Sequence, residues 1–169
     1  MEQKFNLQAN SSNGLTRLEN GRFEVQVASR EDAWTQGLNI RKANKEHPKE
    51  LKTFLVIELG KLIKFIDAKK TIETEEDLMF TIESIIEDFP ALKLEEIVVV
   101  FQEMKQGKWG KFYERLKTPE ILDIFRTFEG QRSELLERIN RYENDNRYSQ
   151  RIGGGDPWQH IRTSINPNG

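Results

Sequence analysis

Between residues 51 and 128, large apolar side chains recur at intervals of three and four, and each run is closed by a proline, a glycine or a capping residue. That spacing puts them on one stripe of an α-helix, and a chain built this way is limited to stacking amphipathic helices stripe to stripe. Leu51, Leu55, Leu59, Leu62 and Ile66 make the first stripe, widened by Phe54, Val56 and Ile63. Pro48 stands at its start, where a missing N–H costs nothing, and the run ends near Asp67. Thr74, followed by three acids, opens a second run through Leu78, Ile82, Ile85, Ile86 and Phe89, which Pro90 ends. Leu94, Ile97, Val98, Phe101 and Met104 form a third, stopping at Gly107; Val98–Val100 alone suits a strand, but the helical period around it prevails. Thr118-Pro119-Glu120 caps a fourth with Ile121, Leu122, Ile124, Phe125, Phe128, Leu135, Leu136 and Ile139, and Gly130 marks a kink or break. A shorter helix is expected from Ser29 through Ala33 and Trp34, with Asn44–His47 as a connector. The predicted fold class is all-α, about five helices around one core.

The ends differ from this middle. Asn20-Gly21 accepts positive φ at both positions, and Phe23, Val25 and Val27 alternate with polar residues after it, so a minor β-hairpin is predicted within residues 15–27. Two strands alone are marginal in water, and the hairpin is expected to lean on the helices or on a partner. From Tyr142 onward the composition is that of a flexible tail. The resulting layout is a leader with the hairpin over residues 1–28, a helical domain over 29–143 and a tail over 144–169.

Composition excludes several chemistries. The 169 residues contain no cysteine, which removes disulfides, thiolate zinc sites and thiol nucleophiles. The chain is 32% charged with a net charge of -2 and a mean hydropathy of -0.71, so any pull on an anionic partner must come from local clustering. No apolar stretch reaches the ~18 residues a spanning helix needs, and no signal-peptide core is seen, which predicts a cytoplasmic, non-membrane protein. His47 and His160 have no helical partner, and no serine elbow, phosphate loop or dinucleotide motif occurs. No catalytic residue, metal ligand or cofactor is therefore predicted.

What remains is charge and aromatic patterning. Lys105, Lys108, Lys111, Arg115 and Lys117, opposed by Glu114 alone, make a local net of +4, interleaved with Trp109, Phe112 and Tyr113 and with Gly107 and Gly110. Cations that neutralise phosphates beside rings that stack on bases are the equipment of single-strand binding. The same aromatics also suit a seal between two helices, with the cations on its rim. The two roles coexist if the rings face inward while Lys108, Lys111 and Arg115 face out. The candidate contact residues are Lys108, Trp109, Lys111, Tyr113 and Arg115. In the tail, Trp158 and Ile161 form an apolar island with Arg162 after Pro157, the pattern of a short motif anchored in a partner groove. Between Ile72 and Glu96 nine acids face one lysine, Lys93, and are read as a solvated acidic face.

The residues from Thr81-Ile-Glu-Ser-Ile-Ile-Glu-Asp-Phe through Gly107-Lys-Trp-Gly-Lys-Phe-Tyr-Glu-Arg-Leu to Glu120 and Phe125 resemble a family of small helical proteins of phages and mobile elements in Bacteroidetes-type bacteria. The resemblance covers roughly residues 76–132, with Gly110-Lys111 and Tyr113-Glu114-Arg115 as its core. Lys117 and Phe125 stand where the pattern has an acid and a tryptophan. Such proteins are similar in layout to phage replisome organisers and helicase loaders or inhibitors. The resemblance implies a non-enzymatic DNA-replication accessory factor in the bacterial cytoplasm, with a replicative helicase as protein partner and single-stranded DNA as a second ligand. The alternative is a protein-interaction factor without nucleic acid, such as an inhibitor of a host protein or a virion component.

Overall fold

Helix caps set the element boundaries. The computed structural model describes residues 16–27, 30, 33–34 and 37–152, with the backbone alone at 146 and 148–152. Five helices occur among them: α1 (Ile40–Glu46), α2 (Pro48–Ile66), α3 (Glu75–Asp88), α4 (Leu94–Lys105) and α5 (Thr118–Ile152). The molecule is mostly α with a minor hairpin, as the sequence predicts. Arg30, Ala33 and Trp34 are helical, within the short helix expected after Ser29. Pro48 occupies the first turn of α2, and Asp67 closes that helix in the left-handed region at φ 48°. At α3, the Thr74 hydroxyl accepts from the Asp77 N–H at 3.1 Å, and Glu75, Glu76 and Asp77 sit at the positive end of the dipole.

α1 corrects the sequence reading, since Asn44–Glu46 belong to a helix and not to a connector. The Asn39 side chain caps it by accepting from the Lys42 N–H at 2.8 Å, and Ile40 and Ala43 are buried one turn apart. A helix this short carries too few apolar residues for its period to stand out. Hydrogen bonds from Ile40 N–H to Leu92 O and from Leu94 N–H to Leu38 O tie this corner to the start of α4.

The hairpin pairs β1 (Thr16–Glu19) with β2 (Arg22–Val25), Glu19 facing Arg22 across an Asn20-Gly21 turn whose φ values are 51° and 70°. Both positive angles are those of a type I′ turn, which matches the twist of the strands. Phe23 is buried edge-on to Phe54 and His47, at 6.5 and 6.0 Å between centroids. Burial of that ring contributes about 2 kcal/mol and supplies the support a two-stranded ribbon lacks alone.

The chain divides between Phe128 and Glu129 into two units. The core lies in the first, where α2 packs against α3 and α4, and where Phe125 meets Phe89 and Phe101 at 5.6 and 5.7 Å. In the second, Leu136 and Ile139 are exposed, so the apolar stripe read along the last helix is not buried beyond Phe128. The helix shows no break at Gly130 and runs to Ile152, into the segment read as tail. Ion pairs at i, i+4, Glu137–Arg141 at 3.6 Å and Glu143–Arg147 at 3.7 Å, support a helix that apolar periodicity does not reveal.

The acidic run is corrected more sharply. Glu95 and Glu96 are fully buried and Glu103 nearly so, where the sequence predicts a solvated face for Glu95 and Glu96. Glu96 is the far arm of a capping box, accepting from the Lys93 N–H at 2.8 Å. Glu95 accepts from the Leu38 N–H at 3.0 Å and from the Thr16 hydroxyl, so it joins α4 to the hairpin. Burial raises its pKa above 4.5, outweighing those bonds and the charge of Lys93. The folded state therefore holds the Glu95 proton more tightly than the unfolded chain, and this contribution to stability is full below the unfolded value of 4.5 and lost as pH rises through the folded one. Glu95→Gln keeps an acceptor and cannot ionise. Its stability relative to wild type is expected to improve steadily as urea melts move from acidic to neutral pH; a pH-independent difference would show that Glu95 does not ionise with this coupling.

Candidate functional site

The segment after α4 begins with a Schellman turn. Gly107, at φ 75°, donates to Met104 O at 3.0 Å, and Lys108 N–H donates to Glu103 O at 3.0 Å, satisfying two carbonyls of the last turn. Gly110, at φ 100°, makes the second bend. Both angles favour glycine, so the spacing Gly-x-x-Gly reverses the chain within four residues.

Beyond Gly110 the chain bends again at Tyr113 and Glu114 and is stitched to the loop after α2. Lys69 and Lys70 donate their N–H groups to Tyr113 O and Glu114 O at 2.9 and 3.1 Å. A short parallel pair follows, β3 (Lys70–Thr71) with β4 (Arg115–Leu116). Leu116 is fully buried and anchors the strand.

Side chains separate into an inner and an outer set. Trp109 and Phe112 are half-buried against the core. The Trp109 indole donates to Glu103 Oε2 at 3.1 Å, and its ring stands edge-on to Phe128 at 6.5 Å. Glu103 also receives Arg30 at 2.8 Å and lies 3.8 Å from Lys108, and Arg30 stacks over Phe128 at 4.9 Å. Glu103 thus accepts from Arg30 and Trp109 and forms a longer ion pair with Lys108, which fixes the segment's entry to the end of α4.

Tyr113 belongs to the outer set, being 65% exposed, so among these aromatics the inward arrangement applies to Trp109 and Phe112 alone. Lys108, Lys111 and Arg115 are exposed, as the predicted split has them. Lys111 makes no ion pair among the described residues. Arg115 bonds Glu120 at 2.7 Å, and Lys69 bonds Glu114 at 2.7 Å. Burial pushes the Glu120 carboxyl up, but the Lys117 N–H and the Arg115 guanidinium outweigh it and hold its pKa below the usual range. That bond from Lys117 also caps α5, while the Thr118 hydroxyl, the expected cap, instead meets the Thr81 hydroxyl at 2.6 Å.

Comparison with protein-family models, with curated proteins and with solved structures finds no match for this chain. The site must be read from its own chemistry. Among the described residues no group of three or more His, Asp or Glu is arranged to hold a metal ion. No helix among them is long and apolar enough to cross a membrane. Trp158, Ile161 and Arg162 lie outside the described residues.

The structure adds partners that the segment's own sequence does not show. Phe80 of α3, 62% exposed, and Arg126 of α5 line a groove together with Arg115 and Lys117. Phe65 at the end of α2 is 64% exposed, with the Lys105 ammonium 5.8 Å from its ring. Phe80 sits off the apolar stripe of its helix, the one signal in the sequence that marks it, whereas Phe65 continues the stripe of Phe54 and Leu62 and is exposed at its end.

Proposed function

We propose that this chain is a non-enzymatic binding protein whose ligand is single-stranded DNA, held on the outer face of residues 111–117. One observation carries the proposal: Tyr113 is presented outward between Lys111 and Arg115 on a backbone pinned by β-bonds to Lys69 and Lys70. A rigid platform binds with less ordering cost than a free loop. Trp109 does not act as a contact on this reading; it holds the platform.

The resemblance of residues 76–132 supplies the setting. The protein is proposed to be a phage or mobile-element replication accessory factor, engaging a replicative helicase in the host cytoplasm. A second reading, a protein-interaction factor without nucleic acid, is favoured by the carboxylates already paired with Arg115 and Lys69.

Labelled oligothymidylate separates the two. Affinity is expected to fall between ~50 and ~200 mM salt, and each substitution that removes a phosphate-binding cation should reduce the log–log slope by about 0.7. Lys111→Gln is expected to show that change, and Tyr113→Ala to weaken binding on the order of 10-fold with the slope retained. Absence of binding at ~50 mM salt removes the nucleic-acid reading.

A further inference from the structure

The exposed segment around Tyr113 does not end the basic-aromatic surface. Beside it, between α3 and the start of α5, lies a groove of about 430 Å³. Its walls carry Phe80, Arg115, Lys117, Pro119 and Arg126, and one acid, Asp77. Three cations and one carboxylate line it, and Glu120, Asp123 and Asp88 stand behind the two arginines as ion-pair partners. The apolar part is distinctive. Phe80 is 62% exposed although it sits in a helix whose apolar stripe is largely buried.

From these groups we infer that the groove is a nucleotide subsite, in which a base stacks on the Phe80 ring and an adjoining phosphate is held by Arg115, Lys117 and Arg126. The inference rests on the single-strand reading above and names residues from α3 and α5 that the reading does not need. Arg115 joins the two surfaces: it opens β4 two residues after Tyr113 and lines the groove.

Two features of the groove favour a nucleotide. Its volume lies within the ~300–1,000 Å³ range of small-ligand sites, enough for a ring with its phosphate. The arginines are only loosely committed: Arg126 reaches Asp123 at 2.6 Å and Asp88 at 4.0 Å, Arg115 reaches Glu120, and every one of these groups is partly or well exposed. Exposed pairs of this kind contribute little and exchange readily for a phosphate, which a guanidinium binds through two parallel bonds. Lys117 has its backbone N–H engaged with Glu120, and its ammonium makes no ion pair among the described residues. The groove is also firmly built. Thr81 and Thr118 join its two helices through their hydroxyls at 2.6 Å, so the walls keep their separation without a ligand.

The full chain is tested by fluorescence anisotropy with labelled oligothymidylate and with an abasic phosphodiester of the same length. Phe80→Ala is expected to weaken oligothymidylate binding on the order of 10-fold, with an unchanged salt slope and no effect on the abasic strand. Arg126→Gln should weaken both strands and lower the slope by about 0.7. Both side chains are exposed, so both variants should keep the wild-type far-UV spectrum and melting temperature, and that control is measured first. If both variants bind as wild type while Tyr113→Ala still weakens binding, the groove is not part of the site and the single-strand reading survives. Displacement of the oligonucleotide by polyglutamate, with Phe80→Ala weakening both ligands equally, overturns the inference in favour of an acidic protein ligand. If wild type binds neither strand, the reading and the subsite fail together.

Discussion

Trp109→Ala is expected to lower the unfolding free energy by roughly 2–4 kcal/mol, the range for removing a large aromatic side chain that is well but not fully packed. Three effects combine. The indole ring leaves its place against Phe128 and the core; Glu103 is deprived of the donor at 3.1 Å; and the turn from Gly107 to Gly110 is without the side chain that closes it. Glu103 is nearly buried, so a carboxylate stripped of a donor there is costlier than one at the surface. Trp109→Phe restores a ring without the N–H and should recover all but about 1 kcal/mol. Urea melts of the three proteins measure this directly. The competing role, a stacking contact for DNA, predicts a stable Trp109→Ala protein with weakened oligonucleotide binding, so one pair of measurements decides between seal and contact.

The same residue shows how much the sequence discloses. Trp109 and Phe112 are legible as either seal or contact because their pattern fits both, and only three-dimensional neighbours, Glu103 and Phe128, separate the roles. Long helices are legible because apolar period, caps and prolines agree: Pro48, Thr74 and Gly107 each stand where an element starts or stops. α1 is not, because seven residues carry too little period. Glu95 and Glu96 mislead for a different reason. Acids near a helix start are ordinarily solvated, and nothing local reveals that a loop N–H at Leu38 and a hydroxyl at Thr16 will cover Glu95. The groove is invisible for the same cause: Phe80, Arg115 and Arg126 come from three separate elements, and no spacing along the chain brings them together.

Gly37→Ala carries the second large expected effect, a loss of roughly 2–3 kcal/mol, in the upper part of the range for an overpacked site. A methyl group at this position would meet three atoms at once: the Glu95 carboxylate oxygen Oε2, Lys93 Cδ at 2.7 Å and the carbonyl oxygen of Ala33 at 2.8 Å. A flexible side chain end gives way at little cost, but two of these cannot. The carbonyl is backbone, and the Glu95 oxygen is the one that accepts the Leu38 N–H. Moving it would strand a buried carboxylate and a backbone donor together, and would loosen the tie between α4 and the Thr16 end of the hairpin. The glycine is therefore required by close approach, unlike Gly60 and Gly130, where a methyl meets nothing within 4 Å. Gly130→Ala supplies the internal control, since alanine in a helix interior is favoured by about 1 kcal/mol over glycine. Measured side by side, the two substitutions should shift the melting temperature in opposite directions. A neutral Gly37→Ala would mean that the backbone at Gly37 and Leu38 moves away from α4 without cost, and would remove the basis for treating buried Glu95 as the fixed joint of hairpin and helix.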